Sequence, residues 1–183
     1  IHKPVIILRR ITESTLLATV CPMVDHKLFG PSNLITSKKT RVLVDCGSGI
    51  TQILPQIKIS SAAIDSLFFT HFHSAPAVDL SPLIISSWHS YRTKPWKIYG
   101  PKGTKKFVNK IMDAWSDERK LRISYEVRAT AKAYKMEVIE FKTSGNIKIK
   151  DINIKYYEVD HKHVKYDYGF CFTNKNKKLK IRG

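Results

Sequence analysis

The run Leu67-Phe68-Phe69-Thr70-His71-Phe72-His73 constrains this chain more than any other stretch. Leu67 to Phe69 is apolar without a break, the pattern of a strand covered on both faces. Side chains two apart on an extended chain point the same way, so His71 and His73 project together from the strand end. Two imidazoles on one side are metal-ligand geometry, because imidazole nitrogen suits zinc and related ions. The positions that follow do not extend the set. Ala75 and Pro76 stand where further ligands are expected, and Val78-Asp79-Leu80 comes next.

Other segments fit around this strand. Val5 to Arg9 and Thr15 to Val20 read as short strands, and Cys21 to Ser32 as a loop broken by Pro22, Gly30 and Pro31. Asn33 to Thr36 and Arg41 to Cys46 are strands, and the apolar Val42-Leu43-Val44 belongs at the centre of a sheet. Asp45-Cys46-Gly47-Ser48-Gly49 predicts a tight turn, and Ile50 to Leu54 a short helix ending before Pro55. Ser66 to Thr70 is the histidine-bearing strand. A helix is predicted from Ala77 or Val78 to about Tyr91, with Pro82 in its first turn. Trp96 to Tyr99 is a strand, and Gly100 to Thr104 a turn with Thr104 as N-cap. The next helix carries Phe107, Ile111 and Trp115 on one stripe, with Val108 and Met112 beside it. Ser116 to Lys135 reads as a charged, partly helical excursion. Beyond it Ile147 and Ile149 share one face and Ile152, Ile154 and Tyr156 another, with a change of register at Lys150-Asp151. Tyr168 to Phe172 and Lys178 to Arg182 are further strands. Strand–helix–strand units followed by strands predict a layered α/β fold with a mixed sheet.

Composition narrows the function classes. At 183 residues one domain spanning 1–183 is expected, and 43% hydrophobic with 26% charged residues suits a folded, soluble chain. Lys plus Arg number 32 against 15 Asp plus Glu, a formal charge of +17. Such an excess invites contact with nucleic acid, although the basic residues are dispersed as on a generally cationic surface. Lys102, Lys105, Lys106 and Lys110 cluster around one helix start, where they are either RNA contacts or a solvated face. Lys175, Lys177, Lys178, Lys180 and Arg182 form a second cluster, readable as the polar side of an edge strand. Cys21, Cys46 and Cys171 match no finger or ribbon spacing, so free thiols in a reducing, cytoplasmic compartment are expected. Val5 to Leu8 is too short for a secretory signal, and no stretch reaches the roughly 18 apolar residues of a membrane span. The chain starts without Met, consistent with a trimmed beginning.

Four segments together resemble the metallo-β-lactamase superfamily, in the branch of ribonuclease Z and the arylsulfatase-type hydrolases. They are Leu43-Val44-Asp45-Cys46-Gly47-Ser48-Gly49; Phe69-Thr70-His71-Phe72-His73 with Val78-Asp79-Leu80; Ile98-Tyr99-Gly100-Pro101-Lys102-Gly103-Thr104; and Tyr157-Glu158-Val159-Asp160-His161 with Tyr168-Gly169-Phe170. The resemblance implies a βα–αβ sandwich, of which this chain supplies the first half and part of the second. It implies that His71, His73 and His161 match the ligands of the first metal, with His163 competing for the place of His161. It gives Asp45 a supporting role, hydrogen-bonding near the site, compatible with capping its turn. Asp79 is expected to cap or face the following helix, and His26 and His89 to be surface or packing residues. The family motif His-x-His-x-Asp-His departs at Ala75 and Pro76, so the second metal loses its ligands. The resemblance puts the Gly of a Gly-Asp-Thr turn at Gly183, where the chain stops, and Ala18-Thr19-Val20 replaces an N-terminal Gly-Thr-Gly loop.

Zinc, at most one ion, is the cofactor this implies. Three imidazoles and a water are a known catalytic set. If active, the chain is expected to hydrolyse phosphodiesters (RNA) or sulfate esters with impaired efficiency, since Ala75 cannot orient a nucleophile. The alternative is a non-catalytic domain that binds RNA or a partner protein through its basic surface. A second copy or a partner chain pairing with the edge strand at Lys178 to Arg182 is also expected.

Overall fold

The computed structural model describes residues 7–9, 13–18, 29–126, 131–161 and 164–182, with the backbone alone for 7–9 and 13–18. Cys21, His26, His163 and Gly183, singled out above, lie outside these residues, as do 1–6, 19–20 and most of the predicted loop.

Eleven strands form two sheets among the described residues. The larger sheet runs β1 (Ile7–Arg9), β2 (Glu13–Ala18), β3 (Ser32–Thr36), β4 (Arg41–Val44), β5 (Ser66–Phe68), β6 (Trp96–Gly100) and β7 (Met136–Glu140), in chain order. The first four are antiparallel, and β4 to β7 are parallel. Parallel neighbours need crossovers. These are α1 (Ile50–Gln56), then α2 (Ser74–Ala77) with α3 (Leu80–His89), then α4 (Thr104–Asp113) with α5 (Ser116–Tyr125). The smaller sheet is antiparallel, β8 (Ser144–Ile149), β9 (Ile152–Glu158), β10 (Tyr168–Asn174) and β11 (Lys177–Ile181), in spatial order β11-β10-β9-β8.

The two-residue alternation of strands divides the core. Leu34, Leu43, Leu67, Phe69 and Ile98 face Leu83, Ile84, Trp88 and Val108 on the helices. Their neighbours Ile35, Val42, Val44, Phe68 and Tyr99 face Ile154, Phe170 and Phe172 on the small sheet. Both faces of β4 and β5 are therefore covered, as their apolar runs predict.

Four details differ from the sequence expectation. Pro55 lies inside α1, because near a helix end it removes one backbone bond while Ile57 N still donates to Ile53 O at 3.2 Å. The N-cap of α4 is Gly103, left-handed at φ 101°, and Thr104 is its first helical residue, with Oγ1 donating to Pro101 O at 2.6 Å. That start turns Thr104, Val108 and Met112 inward, while Trp115 is 40% exposed. The strand β7 had no clear alternation to announce it; it exists because β6 offers it a parallel edge.

Candidate metal centre

The ends of four strands meet at one seam between the sheets. β4 delivers Asp45, and β5 runs on through Thr70, His71 and His73. β9 is followed by His161, and Asp167 immediately precedes β10. Asp45 N donates to Phe68 O at 2.8 Å, and Tyr168 N crosses from the small sheet to donate to Thr70 O at 3.1 Å. Val159 N donates to Asp167 O at 2.9 Å, closing the loop that carries His161.

The three histidines assigned by resemblance stand together. Ring centres are 4.7 Å apart for His71 and His73, 5.5 Å for His71 and His161, and 6.1 Å for His73 and His161. Imidazoles on one tetrahedral zinc, with Zn–N of about 2.0–2.1 Å, have ring centres about 5 Å apart. The ring spacing suits such an ion, but the group of ligand atoms that converges within 4.8 Å among the described residues is that of His71, His161 and Asp167, and His73 stands outside it. The side chain of His71 is 11% exposed and that of His161 42%, while His73 is exposed at the start of α2. Burial holds His71 below its ordinary pKa, so its ring is neutral at pH 7, as a ligand must be.

Asp167 belongs to the same cluster and was not anticipated. Its side chain is fully buried. Oδ2 is 2.7 Å from His161 Nδ1, and Oδ1 is 3.7 Å from His71 Nδ1 with no hydrogen-bond partner. Nitrogen and oxygen atoms of His71, His161 and Asp167 that could ligate a metal all lie within 4.8 Å of one another. The sequence held one faint signal, an acid directly before the buried strand Tyr168 to Phe172.

Asp45 acts through Thr70. Thr70 N donates to Asp45 Oδ1 and Thr70 Oγ1 to Oδ2, both at 2.9 Å, and His71 Nδ1 is 2.9 Å from the same Oγ1. The single hydroxyl proton is spent on Asp45, so His71 Nδ1–H donates to Oγ1 and Nε2 keeps its lone pair. Burial pushes Asp45 up to about 8, against the two bonds from Thr70, and Asp167 adds to the rise. A proton on Asp45 reverses the chain and puts the His71 proton on Nε2. The ionised carboxylate is thus the form that prepares His71 as a ligand.

The backbone after the histidines is clamped to the turn after β4. Cys46 N donates to Pro76 O at 2.7 Å, Asp79 N to Cys46 O at 3.0 Å, and Gly49 N to Asp79 Oδ2 at 2.7 Å. A Cβ on Gly47 would stand 2.7 Å from Ala75 O and 2.4 Å from Gly30 C, so only glycine fits this approach. Asp79 therefore ties the turn to α3 instead of capping the helix with its side chain. Cys46 and Cys171 are buried free thiols.

Lys102, Lys105 and Lys106 are exposed around the start of α4. The helix N-terminus itself is taken: Glu140 Oε1 accepts from Gly103 N at 3.0 Å and Lys105 N at 2.9 Å. An open cleft of 590 Å³ lies beside His161 and Asp167, with Arg182 and Tyr157 in its lining. Among the described residues of that lining Arg182 is the arginine, beside the acids Glu158, Asp160 and Asp167.

Comparison with known proteins agrees with this architecture. The family model described as "Anti-Pycsar protein Apyc1" matches residues 22–181. Ribonuclease Z of Mycobacterium marinum is 30% identical over 162 residues, covering 86% of this chain and 57% of that protein. The chain thus spans just over half the length of this curated relative. Human tRNase Z, short form, superposes with a TM-score of 0.70 at 21% identity, over 93% of this chain and 68% of that one. The metallo-β-lactamase fold protein YhfI of Bacillus subtilis does so with a TM-score of 0.69 at 17% identity, over 91% and 59%. At such identities the two structures speak for the fold. With a two-sheet sandwich of the metallo-β-lactamase fold, histidines at the seam, similarity to ribonuclease Z and a family match over most of its length, the chain belongs to the Anti-Pycsar protein Apyc1 family.

Proposed function

We propose that this chain, as one domain over residues 1–183, is a metal-dependent phosphodiester hydrolase using a single zinc ion held by His71, His73 and His161. The observation that carries the reading is the convergence of the three rings, 4.7–6.1 Å between centres, at the seam of the sheets. When bound, such an ion supplies Lewis acidity and brings the pKa of a neighbouring water to about 7. The chain's own residues do the rest. Asp45, once ionised, holds the His71 proton on Nδ1 through Thr70. Arg182 lines the cleft beside His161 and offers a guanidinium fork to a non-bridging phosphate oxygen. Ala75 contributes a methyl group where the family motif has a carboxylate, so nothing at that position orients the attacking water and turnover is slow. RNA is the proposed substrate class, supported by the names of ribonuclease Z and tRNase Z and by the charge of +17. Lys102, Lys105 and Lys106 would meet its backbone. A cytoplasmic location follows from that substrate, and no described helix is long and apolar enough to cross a membrane.

Metal content tests the reading. The chain, loaded with zinc and desalted, is expected to carry one ion per chain and to cleave bis(p-nitrophenyl) phosphate slowly. The doubly substituted His71→Ala, His73→Ala chain should lose both properties. Zinc-free protein after loading, or two ions per chain, overturns it.

A second reading, a non-catalytic domain that binds RNA or a partner protein, is favoured by the methyl group at position 75 and by the charge of +17. It is supported by metal-independent RNA binding with a steep salt slope. Its protein partner, or a second copy of the chain, would pair with β11, the outer strand of the small sheet.

A further inference from the structure

We propose that Asp167 is a positioning residue of the metal centre, a buried carboxylate that holds the His161 ring with the proton on Nδ1 and the Nε2 lone pair free for the ion, and that sets its charge beside His71. The inference rests on the zinc reading for its purpose, and on geometry alone for its content. Asp167 Oδ2 lies 2.7 Å from His161 Nδ1. A carboxylate accepts and does not donate, so the proton of a neutral His161 ring sits on Nδ1 and Nε2 is the ligand atom. Asp167 Oδ1 is 3.7 Å from His71 Nδ1 and has no other partner in the described structure. Its negative charge favours the same proton position on His71 that Thr70 Oγ1 favours at 2.9 Å.

A fully buried carboxylate with one unsatisfied oxygen is expensive to keep. Two facts hold it in place: its own carbonyl receives Val159 N at 2.9 Å, and the next residue's N–H crosses to Thr70 O. The backbone thus fixes Asp167 between the strand end that bears His71 and the loop that bears His161. Ala75 places no acid from the side of the histidine loop, and Asp167 brings one from the opposite sheet. Its oxygens face Nδ1 atoms, at 2.7 Å for His161 and 3.7 Å for His71, which leaves Nε2 of both rings to an ion. Carboxylates behind metal-bound histidines fix ring orientation and raise ligand basicity, and their loss costs about 10–100-fold in metal affinity.

Asp167→Asn keeps the shape and one acceptor but loses the charge and the second acceptor. In the metal-free chain, histidine-detected ¹⁵N NMR should show His161 as the Nδ1–H tautomer in the unsubstituted protein. The variant should show a mixture for it. Cobalt titration followed by absorption should then give an affinity about 10–100-fold weaker, with the spectrum of the bound ion unchanged. Asp167→Ala, with thermal melting as the check on folding, should weaken cobalt binding at least as much. An unchanged His161 tautomer and an affinity within about threefold overturn the proposal. So does an altered cobalt spectrum, which would make Asp167 a ligand. If the unsubstituted chain binds neither cobalt nor zinc, the hydrolase reading fails, while the His161 tautomer still decides the role of Asp167.

Discussion

Asp45 shows how one side chain couples folding to the site. It takes a left-handed backbone, φ 62°, at the end of β4, and both its oxygens are used by Thr70. Its carboxyl is pushed up to about 8 from an ordinary 3.8. Between those values the folded chain holds a proton that the unfolded chain has released. Stability from this group is therefore full below about pH 4 and is lost as pH rises toward about 8. Asp45→Asn removes that slope, because Asn keeps both contacts with Thr70 and cannot ionise. Thermal melting in the presence of a chelator should show the unsubstituted chain losing several degrees relative to the variant between pH 5 and pH 8 (pH values chosen to span the window). Parallel curves would remove Asp45 as the cause. The amide also fixes the proton chain in the direction that blocks His71 Nε2. The same variant should therefore bind zinc about 10–100-fold more weakly.

At the scale of elements, β5 is the strand on which everything rests. Phe68 is fully buried between the sheets, stacked on Tyr99 at 4.5 Å and edge-on to Phe170 at 5.6 Å. Phe69, its neighbour, faces the helices and meets Phe107. The histidines leave the strand directly after these two anchors. Phe68→Ala should destabilise the chain by about 3–5 kcal/mol, read as a lower urea midpoint, because the cavity opens where both sheets are tightly packed. A cost below about 1 kcal/mol would mean that the seam closes over the gap. The turn after β4 is an equal partner, since Gly47 packs its backbone on Ala75. The exposed α5 carries no buried residue and adds little to this core.

At the scale of the molecule, the cleft beside His161 sets Arg182 among the acids Glu158, Asp160 and Asp167. Arg182 lines it from just beyond β11, at the far end of the chain from β5. Arg182→Ala should raise KM for a phosphodiester about 10–100-fold with little change in kcat, the loss of one charge-assisted hydrogen bond of about 1.5–3 kcal/mol. An equal fall in kcat instead would assign Arg182 to the transition state. The +17 charge is spread over the surface and should make any RNA affinity fall steeply with salt.

Much of the architecture was legible in local pattern. Apolar runs at Val42 to Val44 and Leu67 to Phe69 require a sheet covered on both faces, because alternate side chains leave in opposite directions. The pair His71 and His73 reads from spacing alone, and His161 from resemblance. Periodicity was silent on whatever depends on a partner distant in the chain. It placed Trp115 on the inner stripe of the helix that carries Phe107 and Ile111, and Thr104 at its N-cap. The fold exposes Trp115 and hands the helix N-terminus to Glu140 of β7. Asp167 is the clearest case. In sequence it is one acid in a polar loop. Only the crossing of β10 against Thr70 buries it between two imidazoles, since burial and electrostatic partnership are properties of the assembled seam and leave no mark on local spacing.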